Sequence, residues 1–512
     1  MSCRKETVTN WDIDVTGPVV TSKLNIKNFI SDSLFVTDAN NNLILNFNSE
    51  IAYLKLDSLI KLPDTTFINN YLWPSPQPST FQPGSSIGFL PPAPITFNLS
   101  NGASLKWGTL RKGTLSVNFS NTLDDAIDFY YKLPGVTKYG IPFNIIETVP
   151  PGNNSLTKSY DLSGYDIDLT GGGQFNYNTL IQNYTVNVNP ASQPIVVAFG
   201  KGASVNITYS ELIPQYIHGY FGTENINIAT DTSSLDVFNS FNANGFQLSD
   251  ATLDFRIINE IGAEFSGVLN TISSINSINQ TSVSLSTQAL NNININRAYQ
   301  VNGNVNSSVK LISLNKNNSN IVNFLSNLPN QLTYGGQIKI NPLGNTSAFN
   351  DFAYYNTGIR VLADINIPLK FNANYFSLES DASINFSTLD QLENVNYGQF
   401  IINAVNGYPF DAIIQTYLLD ENKQIIDSLF LPNNNTITKG IIDAQNIVIA
   451  PKSQKLFVSF DNNKLSKLKQ SKSARIKATL LMPPNPPEII LKDHYEIDMS
   501  IVLDVNYKIK RK

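Results

Sequence analysis

Two histidines, His218 and His494, and one cysteine, Cys3, are all this chain holds of the side chains that most often carry acid–base or metal chemistry. Neither histidine has a His, Cys or Glu at ligand spacing, so the residues propose no zinc site, and each histidine is expected to be packed or solvated. Gly84-Ser85-Ser86-Ile87-Gly88 matches the GxSxG pattern of a nucleophilic serine. That chemistry needs a strand before the serine and a helix after it, whereas here Pro83 precedes and Pro91-Pro92 follow. Asp38, Asn40 and Asn42 imitate the start of a calcium loop, but Leu43 and Ser49 occupy the glycine and bidentate-glutamate positions, so a hairpin turn is expected. Asp124, Asp125 and Asp128 are expected to be turn residues, since no second acidic cluster follows them closely. Gly171-Gly172-Gly173 lacks the spacing of a phosphate loop. The expectation is a chain with no catalytic residues, no cofactor and no metal.

Two features are candidates for binding. Tyr71, Trp73, Phe81, Phe89 and Phe97 are interleaved with seven prolines between Pro74 and Pro94, a segment expected to be extended and poor in ladder bonds. Its aromatic faces could stack on a sugar, a partner or a membrane interface, or the segment could cover a sheet edge. Lys464, Lys467, Lys469, Lys472, Arg475 and Lys477, with Lys508 to Lys512, form a basic end expected to be a solvated turn before a last hairpin.

The elements that must position these residues alternate with period two. From Ile359 to Tyr375 every odd position is apolar, and the same holds from Tyr495 to Ile509. At about 3.3 Å per residue the first run would be a ribbon on the order of 50 Å long. Three segments, near 113–131, 251–269 and 398–414, carry one asparagine each in the apolar phase: Asn121, Asn259 and Asn406. A polar residue on a core face is costly unless its amide is bonded, so each is expected to cap backbone groups at a bulge or crossing. The spacing of about 140 residues exceeds the roughly 20 to 50 of solenoid repeats and implies larger related units. Short helices are expected near Ile321 to Leu328, led by Ser319, and near Leu389 to Leu392, led by Ser387 and Asp390.

Composition agrees with strands. Asn outnumbers Lys and Arg together, charged residues are 15% of the chain, and the net charge is -5, which excludes the strong positive field of a nucleic-acid binder. The fold class expected is all-β: several elongated, mostly antiparallel twisted sheets or β-sandwich units with long strands and a few short helices. Along the 512 residues the expected divisions are a tether at 1–10, an N-terminal β segment at 11–97 with its proline and aromatic loop at 71–97, a central β region at 98–315, and a C-terminal β region at 316–512.

Met1-Ser2-Cys3 reads as the remnant of a lipobox, which makes Cys3 a candidate lipid anchor. With Arg4-Lys5-Glu6, the following Trp11-Asp12-Ile13-Asp14-Val15 and the Asn-rich composition, the chain resembles large outer-membrane lipoproteins of Bacteroidota. The strand-Asn-strand segments resemble the water-stress and late-embryogenesis-abundant β-sandwich modules and, more distantly, tubular lipid-binding domains, though without the usual Asn-Pro. The first resemblance implies an outer-membrane location, with other outer-membrane proteins as partners. The function expected is a non-catalytic accessory subunit of an outer-membrane complex for secretion, uptake or β-barrel assembly. The alternatives are a lipid-binding or lipid-transfer protein with an apolar β groove, and a surface glycan-binding or adhesive protein.

Overall fold

The computed structural model describes residues 10–28, 34–55, 62–89, 93–173, 176–238, 242–384, 395–430, 435–482 and 489–510. Cys3 and the expected helix at Leu389 to Leu392 lie outside these residues. The chain is all-β, and its strands build three sandwiches of one topology.

In the first sandwich one sheet runs Asn154–Asp161, Ser104–Asn121, Gly202–Tyr220, Thr65–Leu72. The facing sheet runs Ile141–Val149, Ile127–Lys138, Thr179–Val188, then the short pair Ser86–Phe89 and Ala93–Thr96. The second sandwich repeats this order, with Ser308–Leu314, Thr252–Asn259, Gly358–Pro368 and Leu43–Lys55 in one sheet. Its facing sheet holds Thr281–Ser284 and Ile293–Ile295, then Phe265–Asn276, Gln331–Ile340 and Glu224–Ser234. In the third, Lys452–Phe460, Val395–Asn406, Ile497–Lys510 and Asn10–Leu24 oppose Ile425–Ser428 and Thr436–Ile437, Asp411–Leu419, Ser473–Leu481 and Tyr375–Ser383. All these ladders are antiparallel. Alternation along each strand sends one phase inward, and the inward phases merge into one large apolar core cluster.

The units are nested rather than consecutive. The first is continuous from 65 to 220, whereas the second takes its edge strand from 43–55 and the third from 10–24. The N-terminal strands thus serve the sandwiches in the order three, two, one, and the rest of the chain serves them in the order one, two, three. Asn10 pairs with Lys510, so both ends of the described chain lie in the third sandwich. These pairings cut across the linear divisions expected at 97 and 315, each of which falls inside a sandwich. Composition marks loops, but a ladder partner hundreds of residues away leaves no mark on local composition.

Three further expectations change. Ile359 to Tyr375 is three strands, Gly358–Pro368, Lys370–Asn372 and Tyr375–Ser383, in three different sheets. The first two strands bury the same parity, with Ile365, Ile367, Leu369 and Phe371 all buried, whereas in the third Tyr375 is exposed and Phe376 and Leu378 turn inward. The expected basic turn is a helix, Asn462–Gln470, whose N-cap Asp461 accepts from the Lys464 N–H and which buries Leu465 and Leu468. The strand after it, Ser473–Leu481, and the last strand, Ile497–Lys510, lie in opposite sheets and form no hairpin. The proline segment does make ladder bonds, through Ser79–Phe81, Ser86–Phe89 and Ala93–Thr96, because at sheet edges a proline need not donate. The other expected helix is present as Ile321–Ser326, burying Ile321, Phe324 and Leu325, with Asn320 rather than Ser319 at its cap position.

The sandwiches are joined by polar and apolar pins. Between the first and second, the buried Asp351 carboxylate accepts from the Phe221 N–H at 3.0 Å and from Asn341 Nδ2 at 2.7 Å, with Arg297 at 3.5 Å. Between the second and third, three buried leucines from distant segments exchange backbone bonds: Leu43 N–H to Leu491 O, Leu491 N–H to Leu369 O, and Leu369 N–H to Leu43 O.

Candidate functional site

Asn121, Asn259 and Asn406 each end the strand that crosses from one sheet of a sandwich to the other, and all three are fully buried. Their hydrogen bonds are the same set. Oδ1 accepts from the N–H two residues on, Leu123, Ile261 or Tyr408, at 2.9 Å in every case. Nδ2 donates to the carbonyl four residues on, Asp125, Ala263 or Phe410, again at 2.9 Å. It also donates to the chain leaving the neighbouring strand: Pro150 O at 3.0 Å, Asn296 O at 2.8 Å and Thr438 O at 3.1 Å. One amide thus satisfies the groups that a chain loses when it leaves one sheet before joining the next. Asn276 has the same character, accepting from the Ile278 and Asn279 N–H groups and donating to Asn327 O and Leu328 O. Sequence reading missed it because its inward neighbours, Ile272 and Ser274, are one apolar and one polar, and Ile275 lies in the other phase.

The aromatic candidates sit at the seam between the edge strands of the first sandwich. Tyr71 packs on Tyr184 and Phe129, its hydroxyl buried beside that of Tyr184 but outside hydrogen-bond geometry, and burial pushes its pKa well up. Trp73 meets Phe81 edge to face at 5.5 Å, and its Nε1 donates to Gln77 O at 2.9 Å. Phe89 pairs through its backbone with Thr185. Tyr71, Trp73, Ile87, Val186 and Lys201 line a cavity of about 250 Å³. The matching seam of the second sandwich holds a cavity of about 180 Å³ lined by Ile51, Leu54, Ile228, Leu269 and Tyr334. Three bulges flank it, at Val361/Leu362, Ile228/Asp231 and Leu269/Thr271, where the ladders shift register. In the third sandwich the equivalent edges, Asn10–Leu24 and Tyr375–Ser383, are in contact.

The remaining candidates are spread out and engaged in structure. His218 stacks on Trp107 at 4.9 Å, and burial lowers its pKa; His494 lies edge-on to Tyr495. Asp38 accepts from the Asn40 and Asn42 N–H groups and closes a hairpin. Asp125 caps Ala126 and Gln193, while Asp128 holds Thr148 and Asn189. Among the described residues no three His, Cys, Asp or Glu side chains group as a metal site. Three members of the basic run are paired: Lys464 with Asp427, Lys477 with Glu379, and Arg475 with Asp381, whose carboxyl it holds below the usual range.

No family model and no curated protein matches the chain. Among solved structures, a candidate secreted protein of Parabacteroides distasonis aligns over 55% of this chain and 82% of its own at 13% identity, with a TM-score of 0.28. The T=1 particle protein of infectious bursal virus aligns over 95% of this chain and 84% of its own at 10% identity, with a TM-score of 0.12. At such scores neither likeness assigns a family, and the three-sandwich topology stands on the strand pairings alone.

Proposed function

We propose that the chain is a non-catalytic accessory subunit of an outer-membrane assembly, tethered by a lipid on Cys3. The observation that carries this reading is how the interior is used. The inward phases pack against one another, and the buried amides at the crossings are committed to backbone groups. Outer faces and strand edges remain for contact with other molecules, the surfaces a scaffold subunit uses. With the tether at Cys3 and the first strand beginning at Asn10, the third sandwich is the membrane-proximal one.

Mass analysis of the N-terminal peptide from native membranes is expected to show an acylated Cys3, and Cys3→Ser is expected to release a folded chain into the soluble fraction. An unmodified thiol there would end the lipoprotein reading. Purification in mild detergent is then expected to bring other outer-membrane proteins with the chain in fixed ratio; a chain that travels alone would end the subunit reading.

The carrier alternative has the two seam cavities in its favour. Their volumes, about 180 and 250 Å³, fall below the roughly 300 to 1,000 Å³ of ligand pockets. Organic extraction of the purified protein is therefore expected to yield no stoichiometric lipid. One lipid per chain would make the carrier the better reading.

A further inference from the structure

The three sandwiches place an equivalent strand at the same edge, and the three edges are guarded differently. Asn10–Leu24 carries Asp12, Asp14 and Lys23, with a bulge between Pro18 and Val20. Leu43–Lys55 carries Glu50 and Lys55, has a bulge opposite Val361/Leu362, and is paired at its start by Phe35–Thr37. Charge, proline, bulges and covering strands are the devices that keep edges from pairing with other chains. Thr65–Leu72 has none of them: it contains no charged residue and no proline, and it keeps one register with Gly202–Tyr220 from end to end. Among the described residues no strand pairs with its outer side.

The direction of its free groups follows from the ladder. Trp73 N–H donates to Lys201 O, and Thr122 N–H donates to Gly202 O on the other side of that same strand. Bonds alternate along an antiparallel pair, so odd residues of the edge strand bond inward. The N–H and C=O groups of Thr66, Ile68 and Asn70 therefore point out of the sheet edge. Their side chains are exposed, with Ile68 65% and Leu72 50% accessible.

The three rows of the sheet directly behind Thr66, Ile68 and Asn70 are uncharged on its outer face, the nearest charge being Asp161 in the row beyond Thr66. Three cross-strand rows run Thr66, Thr208, Ser116, Ser159; then Ile68, Asn206, Asn118, Thr157; then Asn70, Ser204, Ser120, Ser155. Only Ile68 interrupts the hydroxyls and amides.

We propose that this edge pairs antiparallel with the same strand of a second copy, joining two chains about a twofold axis through Ile68. On that axis Ile68 meets its own counterpart and Thr66 meets Asn70, so the exposed isoleucines are covered and no like charges face each other. A second copy fits better than a charged partner because the edge strand and the three rows behind its centre offer no charge to match. A contact of one strand's length buries less than the roughly 1,200 to 2,000 Å² of stable interfaces, so the dimer is weak, with a Kd on the order of 10 μM.

The test is sedimentation of the full chain carrying Cys3→Ser, which needs no detergent, from about 1 to 200 μM. A concentration-dependent dimer is expected, and Ile68→Pro and Ile68→Lys are each expected to weaken it at least tenfold. The Ile68 N–H makes no bond inside the sheet, so proline there removes only the outward donor; if Ile68→Pro nonetheless lowers the melting temperature, Ile68→Lys carries the test. A monomeric chain at 200 μM, or a dimer that survives both substitutions, overturns the proposal. The result is independent of membrane attachment, so its failure leaves the accessory-subunit reading to its own experiment.

Discussion

Replacing Asn121, Asn259 or Asn406 with leucine is expected to destabilise the sandwich that contains it by about 2 to 4 kcal/mol, although leucine is similar in size and more apolar. Each substitution leaves at least three backbone groups without their partner: one N–H two residues on, and two carbonyls that share the amide, joined at Asn121 by a third, Val149 O. The side chain is fully buried, so water does not replace it. An unsatisfied buried group costs roughly 1 to 3 kcal/mol, and the apolar gain from leucine offsets only part of the total. Asn→Asp separates hydrogen bonding from shape. Aspartate keeps the acceptor for the N–H but turns the donor into a second acceptor facing two carbonyls, so it is expected to cost more than leucine at neutral pH. Asn118→Leu, on the outer face of the same strand as Asn121, is expected to stay within about 0.5 kcal/mol. Hydrogen exchange within each sandwich is the measurement, since a chain of three units need not unfold in one step. Near-neutral leucine variants at all three positions would show that the amides are dispensable and that the shared geometry has another origin.

The crossings were legible in the sequence because a sheet has a period of two and a core admits no unbonded amide. Three asparagines in apolar phase could only be errors of packing or caps, and the phase alone picks out Asn121 and its two counterparts. Asn276 was not legible on that ground, because Ser274 precedes it in the inward phase and Ile275 lies in the other, so no apolar alternation marks it. What alternation does not encode is the partner. Ile359 to Tyr375 reads as one ribbon because parity survives passage from the first sheet to the second, and nothing local records that Pro368 ends one ladder and Lys370 begins another, or that Tyr375 opens a third strand facing outward. The helix Asn462–Gln470 was hidden in the opposite way: five lysines near it suggested a solvated turn, while two leucines at helical spacing and a capping Asp461 were the weaker signal. The seams at Tyr71 and Trp73 were placed only in part, since the aromatic residues were visible but the facing sheet that makes a cavity of them was not.

Nesting makes the N-terminus a structural part of the third sandwich, and removing residues 1–24 is expected to abolish that sandwich's protection from hydrogen exchange while leaving the first sandwich unchanged. The strand Asn10–Leu24 supplies the edge of a four-stranded sheet and pairs with Ile497–Lys510 along its whole length apart from one bulge. It buries Val19, Val20 and Leu24, each contributing about 1.5 to 3 kcal/mol. With the ladder bonds lost as well, the deficit approaches the roughly 5 to 15 kcal/mol that holds a whole domain together. The first sandwich takes its strands from residues 65–220, apart from the short Asp351–Tyr354 that pairs with Tyr216–Gly219, so its amides, such as those of Val117 and Ile207, should exchange as in the intact chain. The second keeps its own edge strand, Leu43–Lys55, and should lose protection only near Leu491 and Leu369, where the third sandwich meets it. A synthetic peptide of residues 10–24 is expected to restore protection at Leu503 and Val505, because the truncated sheet presents the edge that this strand fits. Full protection of the third sandwich in the truncated chain would mean that its four-stranded sheet holds without its edge, and that the nested strand order is a feature of chain path and not of stability.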